Sequence, residues 1–238
     1  MQWASASATH RGNRRDQNED AVFCSSARAL WAVADGMGGH NAGEYASEKI
    51  AQCLDSLDLA EDLSLCVDRI EDSLLEVNDH LRQHAQQACG GNTVGSTVVV
   101  VVNRGDLGVV LWAGDSRLYR LRDRHMQLIT GDHNPIADLL DSGAVTEDQA
   151  MHADTHVITR AVGGQLDLHL DVGIFDIAPG DTLLLCSDGL YRELSSQELS
   201  AALTLEVDDA VETMLDQVLA REARDNVSMV VTRAGAGA

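Results

Sequence analysis

Four acidic segments of this chain stand beside apolar runs, where a carboxylate has no ordinary surface role. They are Asn18-Glu19-Asp20, Asp35-Gly36, Ser187-Asp188-Gly189 and Asp225-Asn226. Asp and Glu are rarely buried unless they are paired or bind a metal, so these acids require partners. A fold that brought all four segments to one edge of a sheet would create a cluster of oxygen ligands. The alternative is that each acid caps a turn by bonding to its own backbone.

An oxygen cluster of this kind would select a hard cation. Oxygen ligands favour Mg²⁺, Mn²⁺ or Ca²⁺ over zinc. Asp35 leads into the glycine-rich turn Gly36-Met37-Gly38-Gly39-His40, which leaves backbone unshielded beside a fixed carboxylate. Two ions about 3.5–4 Å apart can share one water, deprotonate it near neutral pH and stabilise an in-line displacement at phosphorus. The pattern therefore predicts metal-assisted phosphoryl chemistry.

Arginines precede the first acidic segment at positions 11, 14 and 15. The planar guanidinium binds two phosphate oxygens at once, which suits a phosphoryl substrate. For Arg11 and Arg14, a surface role that balances nearby acids is an equally good interpretation.

The hydrophobic pattern predicts the elements that position these residues. Apolar residues recur at three- and four-residue steps over 42–57 and 63–88, which predicts two long helices. The valine run 98–102 indicates a strand covered on both faces, because one wet face would give alternation. We expect strands 97–102, 107–113 and 117–121 to form a meander. A second sheet would contain 168–175, 182–186 and 227–232 together with the early strands 1–10, 21–24 and 30–34.

Later segments complete an α+β class. The polar stretch 138–154 predicts two short helices. A capping box, Ser195-x-x-Glu198, opens another helix. Apolar residues on one face predict a last helix around 211–218. With 238 residues, we expect one catalytic domain over 1–233 and a flexible tail over 234–238.

Composition excludes several classes of function. The formal net charge of −21 opposes binding to nucleic acid. The sequence lacks a 20-residue apolar run and a leader pattern, which argues against a membrane partner. Five widely spaced cysteines favour a reducing cytoplasm over a disulfide framework.

Three other motifs carry little weight. The glycine-rich turn does not match a dinucleotide loop, because Asn41 stands where the third glycine is needed. His80 and His84 have a spacing that zinc can use, but no third ligand accompanies them. Ser187 lacks the flanking glycines of a nucleophile elbow.

The ordered motifs resemble those of the bacterial metal-dependent protein phosphatases of type 2C. The matching segments are Arg15-x-x-x-Glu19-Asp20, Ala34-Asp35-Gly36-Met37-Gly38-Gly39-His40, Gly95-Ser96-Thr97, Gly114-Asp115-Ser116-Arg117, Cys186-Ser187-Asp188-Gly189 and Asp225-Asn226-Val227-Ser228. The resemblance implies a four-layer α-β-β-α sandwich, in which two antiparallel sheets are flanked by helices. It also implies activity on phosphoserine and phosphothreonine in proteins.

The resemblance assigns metal ligands in every acidic segment. Asp35 would bridge two Mn²⁺ or Mg²⁺ ions, and Gly36 would offer its carbonyl. Asp188 and Asp225 would hold one ion. The other expected ligands are Glu19 and Asp20 for the second ion, directly or through water, and Asp115 for a weaker third ion shared with Asp188.

The resemblance also suggests the residues that act on substrate. Arg15 would bind the phosphate. Animal members carry His directly after Asp-Gly as a proposed general acid, whereas this chain has Met37 there. His40 is therefore a candidate acid or a residue that supports the site from behind. The segment 137–156 resembles the family's flap, where substrate choice is set.

The sequence thus predicts a cytoplasmic Ser/Thr protein phosphatase in which a metal-bridging hydroxide attacks phosphorus without a phosphoenzyme. Its expected partners are phosphoproteins, the substrates of a bacterial Ser/Thr kinase, and it is expected to be a monomer. One rival is a non-catalytic module that binds phosphoproteins. Another is a phosphatase acting on small metabolites.

Overall fold

The computed structural model describes residues 1–38, 42–90, 93–136, 139 and 157–235. Eleven strands fall in these ranges: β1 Gln2–His10, β2 Asp20–Ser25, β3 Leu30–Met37, β4 Gly95–Ser96, β5 Val98–Arg104, β6 Leu107–Ala113, β7 Arg117–Arg122, β8 His125–Leu128, β9 Asp171–Asp176, β10 Thr182–Cys186 and β11 Val227–Gly235. The helices are α1 Ala42–Ser56, α2 Leu63–Ala88, α3 Asp188–Tyr191, α4 Ser196–Ala202 and α5 Val207–Leu219.

The strands form two antiparallel sheets. One has the order β1-β11-β10-β7-β8, and the other has the order β2-β3-β5-β6-β9, with β4 paired to β3. Helices α1 and α2 cover the second sheet, whereas α4 and α5 cover the first. The predicted four-layer sandwich of class α+β is confirmed.

The valine run shows why this sequence makes four layers. Val98, Val100 and Val102 pack with the helix residues Ile50 and Leu74. Val99 and Val101 belong to a separate cluster between the sheets, beside residues of the facing sheet such as Leu185. Alternate side chains of one strand therefore enter two different cores, as period-two geometry requires.

The distribution of strands between the sheets differs from our expectation. β5 and β6 pair with each other, but β7 does not continue the meander, because it pairs with β10 in the other sheet. The turn 114–116 therefore crosses from one sheet to the other. β2, β3 and β9 lie with the valine strand, whereas β1 lies in the facing sheet. Burial patterns show which faces are covered but do not show which strand is the neighbour.

Antiparallel pairing brings the acidic segments to one end of the sandwich. The end of β10, at Cys186, pairs with Met229 and Arg117 near the starts of β11 and β7. The start of β2 at Asp20 pairs with Asp35 near the end of β3. Each acid therefore lies in or next to the end of a strand, at the same end of the sandwich.

Local features at the start of α4 and at the end of the chain match the sequence in one case and differ from it in the other. The capping box is present, since Ser195 and Glu198 bond reciprocally at the start of α4. β11 extends through Ala234 and Gly235, so the predicted tail begins too early; Gly235 pairs with Gln2. All five cysteines are in the described part, and they are free thiols. His40, the segment 137–156 apart from Leu139, and 236–238 lie outside the described residues.

Candidate metal and phosphate site

Asp20 and Asp35 form the first pair of the site. They are direct partners in the β2-β3 ladder, which places both carboxylates at the same sheet edge. Thr97 fixes the backbone of Asp35 twice: its hydroxyl accepts from the Asp35 N–H at 3.1 Å, and its own N–H donates to the Asp35 carbonyl at 2.9 Å. Like charges paired across strands repel, so this arrangement needs a compensating cation.

Asp20 is buried and only partly satisfied. The Ser187 hydroxyl donates to Asp20 Oδ2 at 2.9 Å, but the buried Oδ1 atom lacks a hydrogen-bond partner among the described residues. Burial, with the nearby charges of Asp188 and Asp225, raises the pKa of Asp20 to about 7. Ser187 therefore supports a carboxylate, which gives this serine a role that the sequence did not indicate.

Glu19 and Gly36 meet in a close backbone approach. The Gly36 N–H donates to the Glu19 carbonyl at 3.0 Å. A Cβ atom on Gly36 would lie 2.4 Å from that carbonyl oxygen and 2.1 Å from the carbonyl oxygen of Gly43. No side chain fits in that space, so glycine at position 36 is required by the packing of β3 against the start of α1. Gly43 similarly leaves room for the Glu19 carboxylate.

Asp188 and Asp225 come together through another close approach. A Cβ on Gly189 would lie 2.0 Å from the Asn226 carbonyl oxygen, so glycine allows α3 to contact the 225–226 turn. The Asn226 amide oxygen accepts from the Glu19 N–H at 2.9 Å, and its amide nitrogen donates to the carbonyls of Arg11 and Gln17. Asn226 thereby ties the two acidic turns together.

Asp115 joins the group from the sheet-crossing turn. It is buried, and the Tyr191 hydroxyl donates to its carbonyl at 3.0 Å. Burial and the charge of Asp188 raise the pKa of Asp115 to about 6. Arg192 Nη2 lies 3.5 Å from Asp115 and 3.1 Å from Asp188. Arg192 was not predicted from the sequence, where its one signal is its position four residues after Asp188.

The carboxylates act on one another as a single group. Burial raises the pKa of Asp35 well above its ordinary value, and so do the charges of four other carboxylates. Those four are Asp20, Asp188, Asp115 and Asp225. Five of the six acids that the sequence singled out therefore share one region of space, although three different strand ends and two turns supply them.

Arg15 is the nearest cation on the loop between β1 and β2. Its Nη2 donates to Asp225 Oδ2 at 2.8 Å, and its side chain is half exposed. The hydrogen bond with Asp225 raises the pKa of Arg15, as do the charges of Asp35 and Glu19. Arg11 has a different role, because it donates to the Arg15 carbonyl at 2.9 Å and so holds the loop.

The donor set fits divalent cations. Asp188 Oδ1, like Asp20 Oδ1, is buried without a described partner. Unpaired buried carboxylate oxygens are costly, and all nearby side-chain ligands are hard oxygens. In the described ranges, no three Asp, Glu, His or Cys side chains group tightly enough to hold an ion unaided. An ion here would therefore take further ligands, such as water and the Gly36 carbonyl.

Two of the cavities that the described residues form lie at opposite ends of the sandwich. A cleft of about 460 Å³ beside Asp225 is lined by Gly189, Arg192, Glu193, Glu222 and Arg224. A cavity of about 490 Å³ lies at the far end, where Arg28 and Arg104 line it. Both of those arginines donate to backbone carbonyls, which is a structural role. The cleft beside Asp225 is the one that opens at the acidic group.

His80 and His84 are separate from this site. The Tyr45 hydroxyl of α1 lies 2.7 Å from His80 Nε2, and the Tyr45 ring stacks on His84. These contacts join α1 to α2.

In the described part of the chain, none of the helices combines the length and apolar character needed to cross a bilayer.

The fold and the acidic group together define a class of phosphatase. The family profile described as Protein phosphatase 2C matches residues 7–230. The chain belongs to this family.

Individual relatives agree with this assignment. The chain is 32% identical over 228 residues to the serine/threonine protein phosphatase PstP of Mycobacterium tuberculosis, covering 95% of this chain but 44% of that protein. It thus spans less than half of that relative's length. The structure of PppA, a regulatory component of T6SS in Pseudomonas aeruginosa, has a TM-score of 0.91 and 38% identity, with 98% of each chain covered. The catalytic domain of PstP in complex with two manganese ions has a TM-score of 0.86 and 30% identity, with 99% of each chain covered.

Proposed function

We propose that this protein is a Mn²⁺- or Mg²⁺-dependent protein serine/threonine phosphatase. The observation that carries the proposal is the convergence of five carboxylates at one end of the sandwich, where two buried carboxylate oxygens have no hydrogen-bond partner among the described residues. Family membership supports the activity, and the manganese ions bound by PstP support the choice of metal.

The residues that would hold the ions are those that share this space. Asp35, Asp188 and Asp225 are the core of the proposed ligand set, and the Gly36 carbonyl stands beside Asp35. The outer ligands of these ions would be Glu19 and Asp20, and Asp115 would contribute only to a weaker third site beside Asp188. When bound, the cations would supply positive charge for the phosphoryl oxygens and would lower the pKa of a bound water molecule to near neutrality.

The chain's own residues have distinct tasks in this scheme. Arg15 lies at the exposed edge and can exchange its Asp225 contact for two phosphate oxygens, as the guanidinium fork allows. Ser187 and Thr97 hold Asp20 and Asp35 in place. The cleft beside Asp225 offers room for the residues that flank a phosphoserine. His40 remains a prediction, either as the general acid or as a residue that supports the site.

The proposed substrates are phosphorylated proteins, and the proposed partner enzyme is a bacterial Ser/Thr kinase. Supporting observations are the names of the relatives, which are protein phosphatases. We further propose action in the cytoplasm, consistent with five free thiols. A monomer is the proposed oligomeric state.

The test is hydrolysis of a phosphothreonine peptide, a sugar phosphate and a chromogenic phosphate ester with Mn²⁺. We expect the phosphopeptide to be hydrolysed with a higher kcat/KM than the sugar phosphate. A metal chelator should abolish turnover of all three substrates. Asp188→Asn should reduce kcat/KM by at least about 100-fold, because it removes charge from the metal site. The control is Asp106→Asn, at an exposed turn of the opposite end.

Other outcomes would select the rival functions. A protein that binds the phosphopeptide with Mn²⁺ but never releases phosphate would be the non-catalytic module. Faster turnover of the sugar phosphate than of the peptide would indicate a metabolite phosphatase. A trapped phosphoryl-enzyme would refute direct attack by water.

A further inference from the structure

Arg192 occupies the space between two of the proposed metal ligands. Its Nη2 atom lies 3.1 Å from Asp188 Oδ2 and 3.5 Å from Asp115 Oδ2. Both side chains are largely buried, with 7% of Asp115 and 12% of Asp188 exposed, so a cation between them interacts strongly. The guanidinium therefore supplies positive charge to the same two acids that would hold a third ion.

The backbone holds Arg192 in this position. It follows α3 directly, and its N–H donates to the Asp188 carbonyl at 3.0 Å. The two side chains are therefore an i, i+4 pair on one face of a helical turn. The charge is attached to the same short segment as its partner, so it is present at high effective concentration.

A second arginine near Asp115 is engaged elsewhere. Arg117 forms a bidentate pair with Asp132, at 2.8 and 2.7 Å. Its guanidinium also stacks on the Tyr191 ring, 3.7 Å from the centroid. Arg192 is thus the arginine whose charge falls between Asp115 and Asp188.

We propose that Arg192 acts as a built-in substitute for a third metal ion, so that this chain binds two divalent cations and excludes a third at Asp115 and Asp188. This inference rests on the proposed function, since it assumes that the remaining acids hold the two ions. It deepens that function, because it makes one arginine the determinant of metal stoichiometry.

The experiment counts Mn²⁺ bound to the full chain by equilibrium dialysis, with free Mn²⁺ measured by electron paramagnetic resonance. A tethered competitor such as the Arg192 guanidinium has an effective concentration on the order of 1 mM. At about 1 mM free Mn²⁺, we therefore expect two ions per wild-type chain and three per Arg192→Met chain. The affinity of the third site for Mn²⁺ should be at least about tenfold higher in Arg192→Met than any third-site binding in the wild type, which equals about 1.4 kcal/mol.

Two further variants locate the effect. Adding Asp115→Asn to Arg192→Met should return the count to two. Arg224→Met removes a charge from the same cleft, where Arg224 pairs with Glu222, and should leave two ions. If Arg192→Met does not fold, as judged by circular dichroism, Arg192→Gln replaces it.

Three results would overturn the inference. They are a wild-type chain that already binds three ions, an Arg192→Met chain that binds two, and a third ion that survives Asp115→Asn. A wild-type chain that binds no Mn²⁺ would instead overturn the proposed function on which the inference rests.

Discussion

Like charges dominate the site at the scale of single residues. Asp35 experiences four other carboxylates, and the described cations Arg15 and Arg192 offset only part of that charge. A hydrogen bond from Ser187 stabilises Asp20, but its other carboxylate oxygen has no partner in the described part of the chain. The residues therefore form a site that is complete only with added positive charge.

Arg15 provides the prediction at this scale. Arg15→Lys keeps the charge but loses the planar fork, so we expect kcat/KM for a phosphopeptide to fall roughly 10- to 100-fold, the range of a charged hydrogen bond. Steady-state kinetics with Mn²⁺ would measure the loss. Arg14→Lys is the matched control on the same loop and should stay within about twofold. Equal losses in both variants would mean that Arg15 has no specific contact with phosphate.

At the scale of elements, the turn between β6 and β7 decides whether the site forms. Gly114 has a φ of 108°, and a Cβ there would lie 2.6 Å from Thr97 Cγ2. The same Thr97 holds Asp35 through two hydrogen bonds. The turn that presents Asp115 is therefore packed directly against the residue that positions Asp35.

Gly114→Ala should consequently damage both stability and metal binding. Gly105→Ala is the matched control, because Gly105 also has a positive φ of 62° but has open space around its would-be Cβ. We expect Gly105→Ala to lower the free energy of unfolding by about 1 kcal/mol from backbone strain alone. Gly114→Ala should cost at least about 2 kcal/mol more and weaken Mn²⁺ binding about tenfold or more. Urea unfolding and Mn²⁺ titration measure the two effects, and an unchanged Mn²⁺ affinity would contradict the prediction.

The whole molecule carries a formal charge of −21, and its buried acids make stability depend on pH. The folded-state pKa values of Asp20, about 7, and Asp115, about 6, exceed the ordinary value of 3.8. The metal-free folded protein thus binds more protons than the unfolded chain between pH 4 and 7. The stabilising contribution of these two groups is therefore fully present below about pH 4, and it is lost as the pH rises toward 7.

We therefore expect chelated protein to lose on the order of 3 kcal/mol of unfolding free energy between pH 5 and 8, since one pKa unit corresponds to about 1.4 kcal/mol. Mn²⁺ at 100 times its Kd should restore about 2.7 kcal/mol at pH 8. Chemical denaturation at both pH values provides the measurement. Asp20→Asn should flatten the slope, whereas the exposed Asp16→Asn should not. A metal-free protein that is more stable at pH 8 would reverse the sign and refute the account.

The sequence by itself determined the layers and most of the acidic group. Consecutive valines indicated a strand buried on both faces, and acids beside apolar runs indicated strand ends that need a cation. These features are local, because periodicity and the cost of burying charge can be read along the chain. The long helices and the capping box at Ser195 followed from the same local rules.

Only the tertiary structure decided how the segments are paired. In the folded chain, β7 pairs with β10 in the sheet that faces β6. The Ser187 hydroxyl donates to Asp20, and Arg192 lies between Asp115 and Asp188. A strand's pattern records that a face is covered without recording which strand covers it. Likewise, the partner of a buried charge is chosen by distance in space, which spacing along the chain does not encode.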